Sequence, residues 1–297
     1  MTLFQGLAAF PITPADAQGR VDTDSLRVLL ARLTDARVQA IGLLGSTGCY
    51  LYWTRAERRR AVEAAVDQVG GKTPILVGIG ALRTDEAVQF GQDAKSAGAD
   101  GILLAPVSYT PLTEDEVFTH FETVAASVGL PLCVYDNPTT THFTFSTGLL
   151  ARLSRIENIV AVKTPAPGLA AGAMKLGELR TETKPGFSCG YSVDWNATEA
   201  LIAGGDAWYS VIGGLFPTAC MEILQAVRDA DPLRARQLNA RLQPLWELCT
   251  EFSSLRVMYA AVQALGICHA VPPRPILPLA EAPQRRVAEI LDRLALA

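Results

Sequence analysis

The sequence predicts an α/β fold, a (β/α)8 TIM barrel with a C-terminal helical extension. Short apolar runs alternate with longer helix-period segments over eight successive units. The units recur at roughly 25 to 30 residues, the spacing of strand–helix pairs in such a barrel. After Ala230 the alternation stops and only helical periodicity remains. A chain of 297 residues accommodates one barrel plus an extension, or two ordinary domains of about 150 residues. The expected division is a barrel over residues 1–230 and a helical extension packed on it over 231–297. An open doubly wound sheet would leave the regular eight-fold alternation unexplained.

The first unit pairs a strand at Gly6 to Thr13 with a helix at Asp22 to Arg37. In the second, a strand at Ala40 to Ser46 precedes a helix at Thr54 to Val69 that opens on the capping-box pattern Thr54-x-x-Glu57. Strands at Pro74 to Gly80 and Gly101 to Val107 lead into helices at Thr84 to Gly98 and Thr113 to Val128, the latter opening on Thr113-x-x-Glu116. A strand at Pro131 to Pro138 is followed by a helix at Ser146 to Arg155 with Ser146 as its N-cap. The last three units are Ile159 to Pro165 with Gly168 to Thr181, Gly186 to Gly190 with Asp194 to Gly204, and Trp208 to Gly213 with Thr218 to Ala230. The extension reads as helices at Pro232 to Phe252, Ser254 to Leu265 and Pro283 to Leu296.

Composition narrows the function classes. Hydrophobic residues make up 49% and charged residues 19% of the chain, enough apolar surface for a large core. A net charge of −4 lacks the electrostatic footprint of a protein that tracks phosphate backbones, so no nucleic-acid partner is expected. The N-terminus shows no basic segment followed by an apolar run and a cleavage site. The longest apolar stretch, Ala207 to Pro217, is broken by Ser210, Gly213 and Gly214 and falls far short of the roughly 18 residues of a membrane span. A soluble, cytoplasmic protein with no membrane partner is expected. The six cysteines form no C-x-x-C pair, which argues for reduced core residues over a zinc knuckle, redox motif or disulfide framework.

In a barrel of this kind chemistry sits where strands end and βα loops begin. Lys163 follows four apolar residues on the sixth strand, and strand period places it on one face with Ala161 and Ile159. Burial disfavours an ammonium ion and favours the neutral amine, a nucleophile toward carbonyls; the competing reading is a lysine that caps the sheet or pairs with a carboxylate. Tyr135, one strand earlier and inward-pointing with Cys133, is a candidate proton shuttle or else a barrel-layer aromatic. The loop Gly42 to Cys49 brackets Ser46 and Thr47 with Gly45 and Gly48, so that backbone N–H groups and two hydroxyls converge on an anion; it matches neither a P-loop nor G-x-G-x-x-G, and a bare glycine turn is its simpler reading. Gly190 and Ser210, near the ends of strands seven and eight, offer a backbone or small-residue role. Of the three histidines, His120 reads as a solvated mid-helix residue and His269 lies in the extension, so no metal pair forms, while His142 is placed to reach the barrel mouth or to pack its loop. The four tryptophans read as core or interface residues.

The glycine-bracketed Ser-Thr loop after strand two, Tyr135 in a Tyr-x-x-Pro ending strand five, and Lys163 ending strand six together resemble the dihydrodipicolinate synthase and N-acetylneuraminate lyase family of class I aldolases. The resemblance runs from about Gly6 into the C-terminal helices. It implies a Schiff base between Lys163 and pyruvate or a similar 2-oxo acid, Tyr135 as proton relay, Gly45, Ser46 and Thr47 around the carboxylate, no metal or organic cofactor, and a homotetramer of tight dimers. Three positions depart from the family pattern. Cys49 stands where the loop ordinarily carries glutamate; Thr139-Thr140-Thr141-His142 stands where lysine-pathway synthases carry a carboxylate-clamping arginine; and Ser108 precedes Tyr109 where those enzymes draw a tyrosine from a neighbouring subunit. These departures point away from dihydrodipicolinate synthesis itself. The expected activity is a C–C lyase or aldolase on a small 2-oxo acid whose distal part meets Ser108, Tyr109, Thr140 and His142. A dehydratase of a sugar-derived keto acid on the same Schiff base, and a barrel that binds a keto acid or sugar acid without turnover, stay open as alternatives.

Overall fold

The computed structural model describes residues 3–167 and 172–296. Eight parallel strands close in sequence order into a barrel: β1 (Gly6–Ala9), β2 (Ala40–Leu43), β3 (Ile75–Gly78), β4 (Gly101–Leu104), β5 (Leu132–Tyr135), β6 (Ile159–Pro165), β7 (Ser188–Ser192) and β8 (Ala207–Ser210). Between and after them run α1 (Thr23–Asp35), α2 (Arg55–Val69), α3 (Thr84–Ala97), α4 (Glu114–Val128), the short α5 (Pro138–Thr141), α6 (Thr147–Ser154), α7 (Gly172–Glu182), α8 (Asp194–Ile202) and α9 (Pro217–Arg228). The fold class is the expected one, and most strands end three or four residues before their expected ends. There the chain leaves the ladder and becomes βα loop. Residues 168–171, expected to open the seventh helix, lie outside the described residues.

Strand periodicity divides the barrel residues into two layers. Ala8, Leu76, Leu103, Cys133, Ala161 and Tyr209 fill the interior, while their neighbours Leu7, Val77, Ile102, Val134, Val162 and Trp208 pack outward against the helices. One irregularity corrects the expected phase. Leu132 pairs with Ile159 but Cys133 pairs with Ala161, so β6 carries one extra residue, a bulge that shifts its alternation. Ile159 therefore sits in the outer core and Val160 packs against the inner cluster, while Ala161 remains inside; Ile159 does not share the face of Lys163. Two glycines let the barrel close under the loop after β2. A Cβ on Gly42 would fall 2.2 Å from the Phe10 ring, and one on Gly78 would fall 1.9 Å from the Leu44 carbonyl oxygen.

The helix starts follow their caps. Thr113 and Glu116 form the complete capping box, and the Ser146 hydroxyl accepts from the Leu149 N–H. Thr54 accepts from the Glu57 N–H, but the Glu57 carboxylate accepts from the Val21 N–H at 2.7 Å instead of closing the box, tying α2 to the loop before α1. The helix expected over Pro232 to Phe252 is two helices, α10 (Pro232–Arg241) and α11 (Gln243–Phe252), because Pro244 in the first turn of α11 has no N–H to continue the ladder. They continue into α12 (Ser254–Ala264) and α13 (Glu281–Leu294). α10 packs on α8 and α9, α11 on α8 and α12, and α13 on α12, which brings the α11–α12 junction to the barrel mouth.

All six cysteines are buried and unpaired. Trp53, Trp208 and Trp246 are buried as expected. His120 corrects its expectation: the ring is half-buried between α3 and α4, with Nδ1 2.9 Å from the Thr84 hydroxyl and its edge against Phe121. Among the described residues no helix is long and apolar enough to cross a membrane, and no group of three or more His, Cys, Asp or Glu side chains is placed to hold a metal ion.

Candidate active site

At the C-terminal ends of the strands a cavity of about 600 Å³ opens, and Ser46, Thr47, Tyr135, Thr140 and Lys163 all line it. The sequence had placed these residues on different βα units; closure of the barrel brings them together.

Lys163 and Tyr135 are direct partners in the β5–β6 ladder, so their side chains emerge side by side inside the barrel. Lys163 is 3% exposed, with Nζ 4.2 Å from the centre of the Phe10 ring and 4.0 Å from that of Tyr135. Ring faces stabilise a cation only partly in place of water. Among the described residues no carboxylate lies within 4.0 Å of this amine, so the reading of Lys163 as one half of an ion pair fails.

The phenol of Tyr135 is held on two sides. Its oxygen lies 3.1 Å from the Ser46 hydroxyl, where either group can donate, and it accepts from the Asn137 amide at 3.0 Å. Thr139 in turn donates to the Asn137 carbonyl oxygen at 2.8 Å, which orients the amide with its NH2 toward Tyr135. Asn137 was missed from sequence although it stands inside the Tyr-x-x-Pro segment, two residues beyond Tyr135 at the strand end.

The loop after β2 reaches the cavity by two residues with positive φ, Leu44 at 54° and Cys49 at 53°. Ser46 and Thr47 face the cavity between them. Gly45 does not line it; its missing Cβ makes room for Phe10, whose ring would lie 2.6 Å away. The Cys49 thiol is buried beside the Tyr259 hydroxyl at the edge of the cavity lining, and burial pushes it up to about 11, which favours the protonated thiol.

Asp194 begins α8, is 3% exposed and lines the same cavity. Its carboxylate accepts from Trp208 Nε1 at 2.8 Å and from the Val211 and Ile212 N–H groups at 3.1 and 3.0 Å. Burial raises its pKa, opposed by these donors and by the charge of Lys163. Position after strand seven was the available signal. Leu255, Ser254 and Ile276 also line the cavity, and nothing local in the sequence marks them.

Four residues expected to bind substrate, Ser108, His142, Gly190 and Ser210, lie outside the cavity lining of their own chain. Ser108 turns into its own loop, donating to the Thr110 carbonyl and accepting from the Thr110 N–H at 3.1 Å, and Tyr109 is 97% exposed; of that loop only Val107 lines the cavity. His142 takes a left-handed conformation at the end of α5, where it is exposed and outside the lining. Gly190 lies within the barrel, where a Cβ would fall 2.3 Å from the Tyr209 ring. Ser210 is fully buried and accepts from the Gly213 N–H at 2.7 Å, ordering the turn after β8.

The cavity thus holds a buried amine beside a positioned phenol–hydroxyl pair. A nucleophile next to a proton donor and acceptor is the equipment of carbonyl addition.

The family model described as the dihydrodipicolinate synthetase family matches residues 3–294. A 4-hydroxy-tetrahydrodipicolinate synthase of Stutzerimonas stutzeri is 34% identical over 234 residues, 79% of each chain. The crystal structure of a dihydrodipicolinate synthase from Agrobacterium tumefaciens superposes with a TM-score of 0.96 at 52% identity, covering 98% of each chain. YagE, a prophage protein of the dihydrodipicolinic acid synthase family from E. coli K12 solved with pyruvate, superposes with a TM-score of 0.92 at 27% identity, covering all of both chains (100% each). The chain therefore belongs to the dihydrodipicolinate synthetase family, as an enzyme of its Schiff-base aldolase, lyase type.

Proposed function

We propose that Lys163 is the Schiff-base lysine and that the enzyme makes or breaks a C–C bond next to pyruvate or a similarly small 2-oxo acid. The observation that carries this reading is the amine of Lys163 itself, buried between Phe10 and Tyr135 with no carboxylate partner among the described residues. The pyruvate complex of YagE supports the choice of keto acid. Nζ adds to the ketone carbon, the resulting carbinolamine loses water, and the protonated imine draws in the electrons of an adjacent C–H bond, whose proton leaves to the Tyr135–Ser46 pair, to give an enamine. Tyr135 moves the protons of carbinolamine formation and dehydration through Ser46. Ser46 and Thr47, with the loop N–H groups, hold the keto-acid carboxylate. No metal or organic cofactor is required by this scheme.

The relatives are named for dihydrodipicolinate synthesis, yet we assign this chain a different second reactant. The stretch after Tyr135 carries threonines in place of the carboxylate-clamping arginine, and among the described residues no arginine lines the cavity. A homotetramer in the cytoplasm is part of the same reading.

The test is borohydride reduction in the presence of pyruvate, followed by intact mass and peptide mapping. A reduced pyruvyl adduct on Lys163, absent from a folded Lys163→Ala variant, is expected. Undiminished trapping in that variant, or no trapping with any 2-oxo acid in the native enzyme, rejects the assignment.

A further inference from the structure

We infer that the second reactant is a neutral aldehyde carrying an apolar group, and that the C-terminal helices provide the wall that selects it. This inference rests on the Schiff-base reading above and names the substrate class of that same site.

Charge along the cavity comes first. Among the described residues that line it, Lys163 and Asp194 are the only ionisable acids or bases of ordinary charge at neutral pH. Lys163 is consumed by the imine, and the Asp194 carboxylate is taken up by Trp208, Val211 and Ile212. The Ser46–Thr47 loop is occupied by the carboxylate of the keto acid. A second carboxylate on the incoming aldehyde would find no free side-chain cation among the described residues that line the cavity. An anion brought from water without a partner is strongly disfavoured.

The shape and chemistry of the distal wall give the positive half of the argument. Trp195 on α8, Leu255 on α12 and Ile276 beyond it line the cavity, joined by Val193 and Val211. All of these are partly exposed, so their apolar surface is presented to the cavity and is available to a ligand. The threonines of α5 stand on the Tyr135 side. There, Thr139 is bonded to the Asn137 side chain, and Thr140 and Thr141 to the Asn137 carbonyl at 3.3 and 3.0 Å. With their hydroxyl protons spent, these threonines can accept from a polyhydroxylated chain but not donate to it. An apolar group gains on the indole side without leaving buried polar groups unpaired.

In the synthetic direction the enamine carbon attacks the aldehyde carbon, the new C–C bond forms with return of the iminium, and the aldehyde oxygen takes the proton that the enamine carbon gave up. Water, released when the imine formed, is taken up again as the iminium is hydrolysed, which frees Lys163 and a 4-hydroxy-2-oxo acid. The balance needs no further reactant.

The experiment uses the native enzyme with saturating pyruvate and a panel of benzaldehyde and isobutyraldehyde, glyceraldehyde, and succinic semialdehyde, with kcat/KM read for each. Benzaldehyde or isobutyraldehyde should exceed both other aldehydes by at least about tenfold. Leu255→Arg should reverse the order toward succinic semialdehyde while pyruvate trapping on Lys163 persists. Equal or greater turnover of glyceraldehyde or succinic semialdehyde by the native enzyme overturns the inference, as does turnover of none of the panel. Pyruvate trapping separates the two levels: an enzyme that traps pyruvate but prefers a charged or hydroxylated aldehyde defeats this inference alone, whereas one that traps no 2-oxo acid defeats the Schiff-base reading beneath it.

Discussion

Tyr135 illustrates how much of the site's chemistry is set by one side chain's neighbours. Its oxygen receives the Asn137 amide and shares a hydrogen bond with Ser46, so its proton has a defined route toward the position above Lys163. Removing that oxygen leaves the ring that packs on Lys163. Tyr135→Phe is therefore expected to fold normally and to lower turnover by about 10²-fold or more, with steady-state kinetics as the check; unchanged turnover would place the proton relay elsewhere. The same residue scale shows what was readable. Lys163 and Tyr135 were legible because each ends an apolar strand, and Asn137 was within reach of the same logic. Ser108 and His142 were misplaced because position in a βα loop says where a residue is, while the direction of its side chain depends on hydrogen bonds such as that of Ser108 to Thr110.

Elements carry the next set of consequences. Gly78 ends β3 against the loop after β2, and a Cβ there would meet the Leu44 carbonyl at 1.9 Å. The obstacle is backbone, which has no alternative rotamer, so Gly78→Ala should cost roughly 2 kcal/mol or more by urea denaturation and should disturb the Ser46–Thr47 loop. A loss below the noise of that measurement would mean the loop shifts freely. The α3–α4 interface carries a pH dependence. Burial pushes the His120 imidazole down from 6.5 to about 4, and one ring nitrogen is enclosed with no partner among the described residues. Between those values the unfolded chain binds the proton and the folded one does not, so stability is complete above 6.5 and falls as pH drops toward 4. The loss amounts to as much as about 3 kcal/mol. His120→Phe should flatten this part of the stability–pH curve; a curve parallel to that of the native protein would show that the ring titrates normally. At this scale the sequence was reliable for the existence of elements and less so for their phase. The bulge in β6 arises from pairing with β5, which no property of the β6 residues announces.

For the whole molecule, the barrel is closed by pairing of β1 with β8, and the extension folds back so that α12 faces the same mouth as β5 and β6. The exposed Tyr109 lies outside the cavity of its own chain, and the tetramer inferred from the family would bury such surfaces between copies. Sedimentation velocity at micromolar concentration should show an oligomer larger than a monomer; a monomer independent of concentration would remove the tetramer from the reading and leave Tyr109 a solvent-facing residue.

By itself the sequence determined the barrel, the order of its units and the position of the amine and phenol, because apolar periodicity and strand-end placement are local properties written into neighbouring residues. Tertiary structure alone decided which hydroxyls face the amine, that Ile159 turns away from it, and that Trp195, Leu255 and Ile276 form the far wall. These follow from closure of the sheet and docking of the extension, where residues far apart in the chain meet and direction is set by packing.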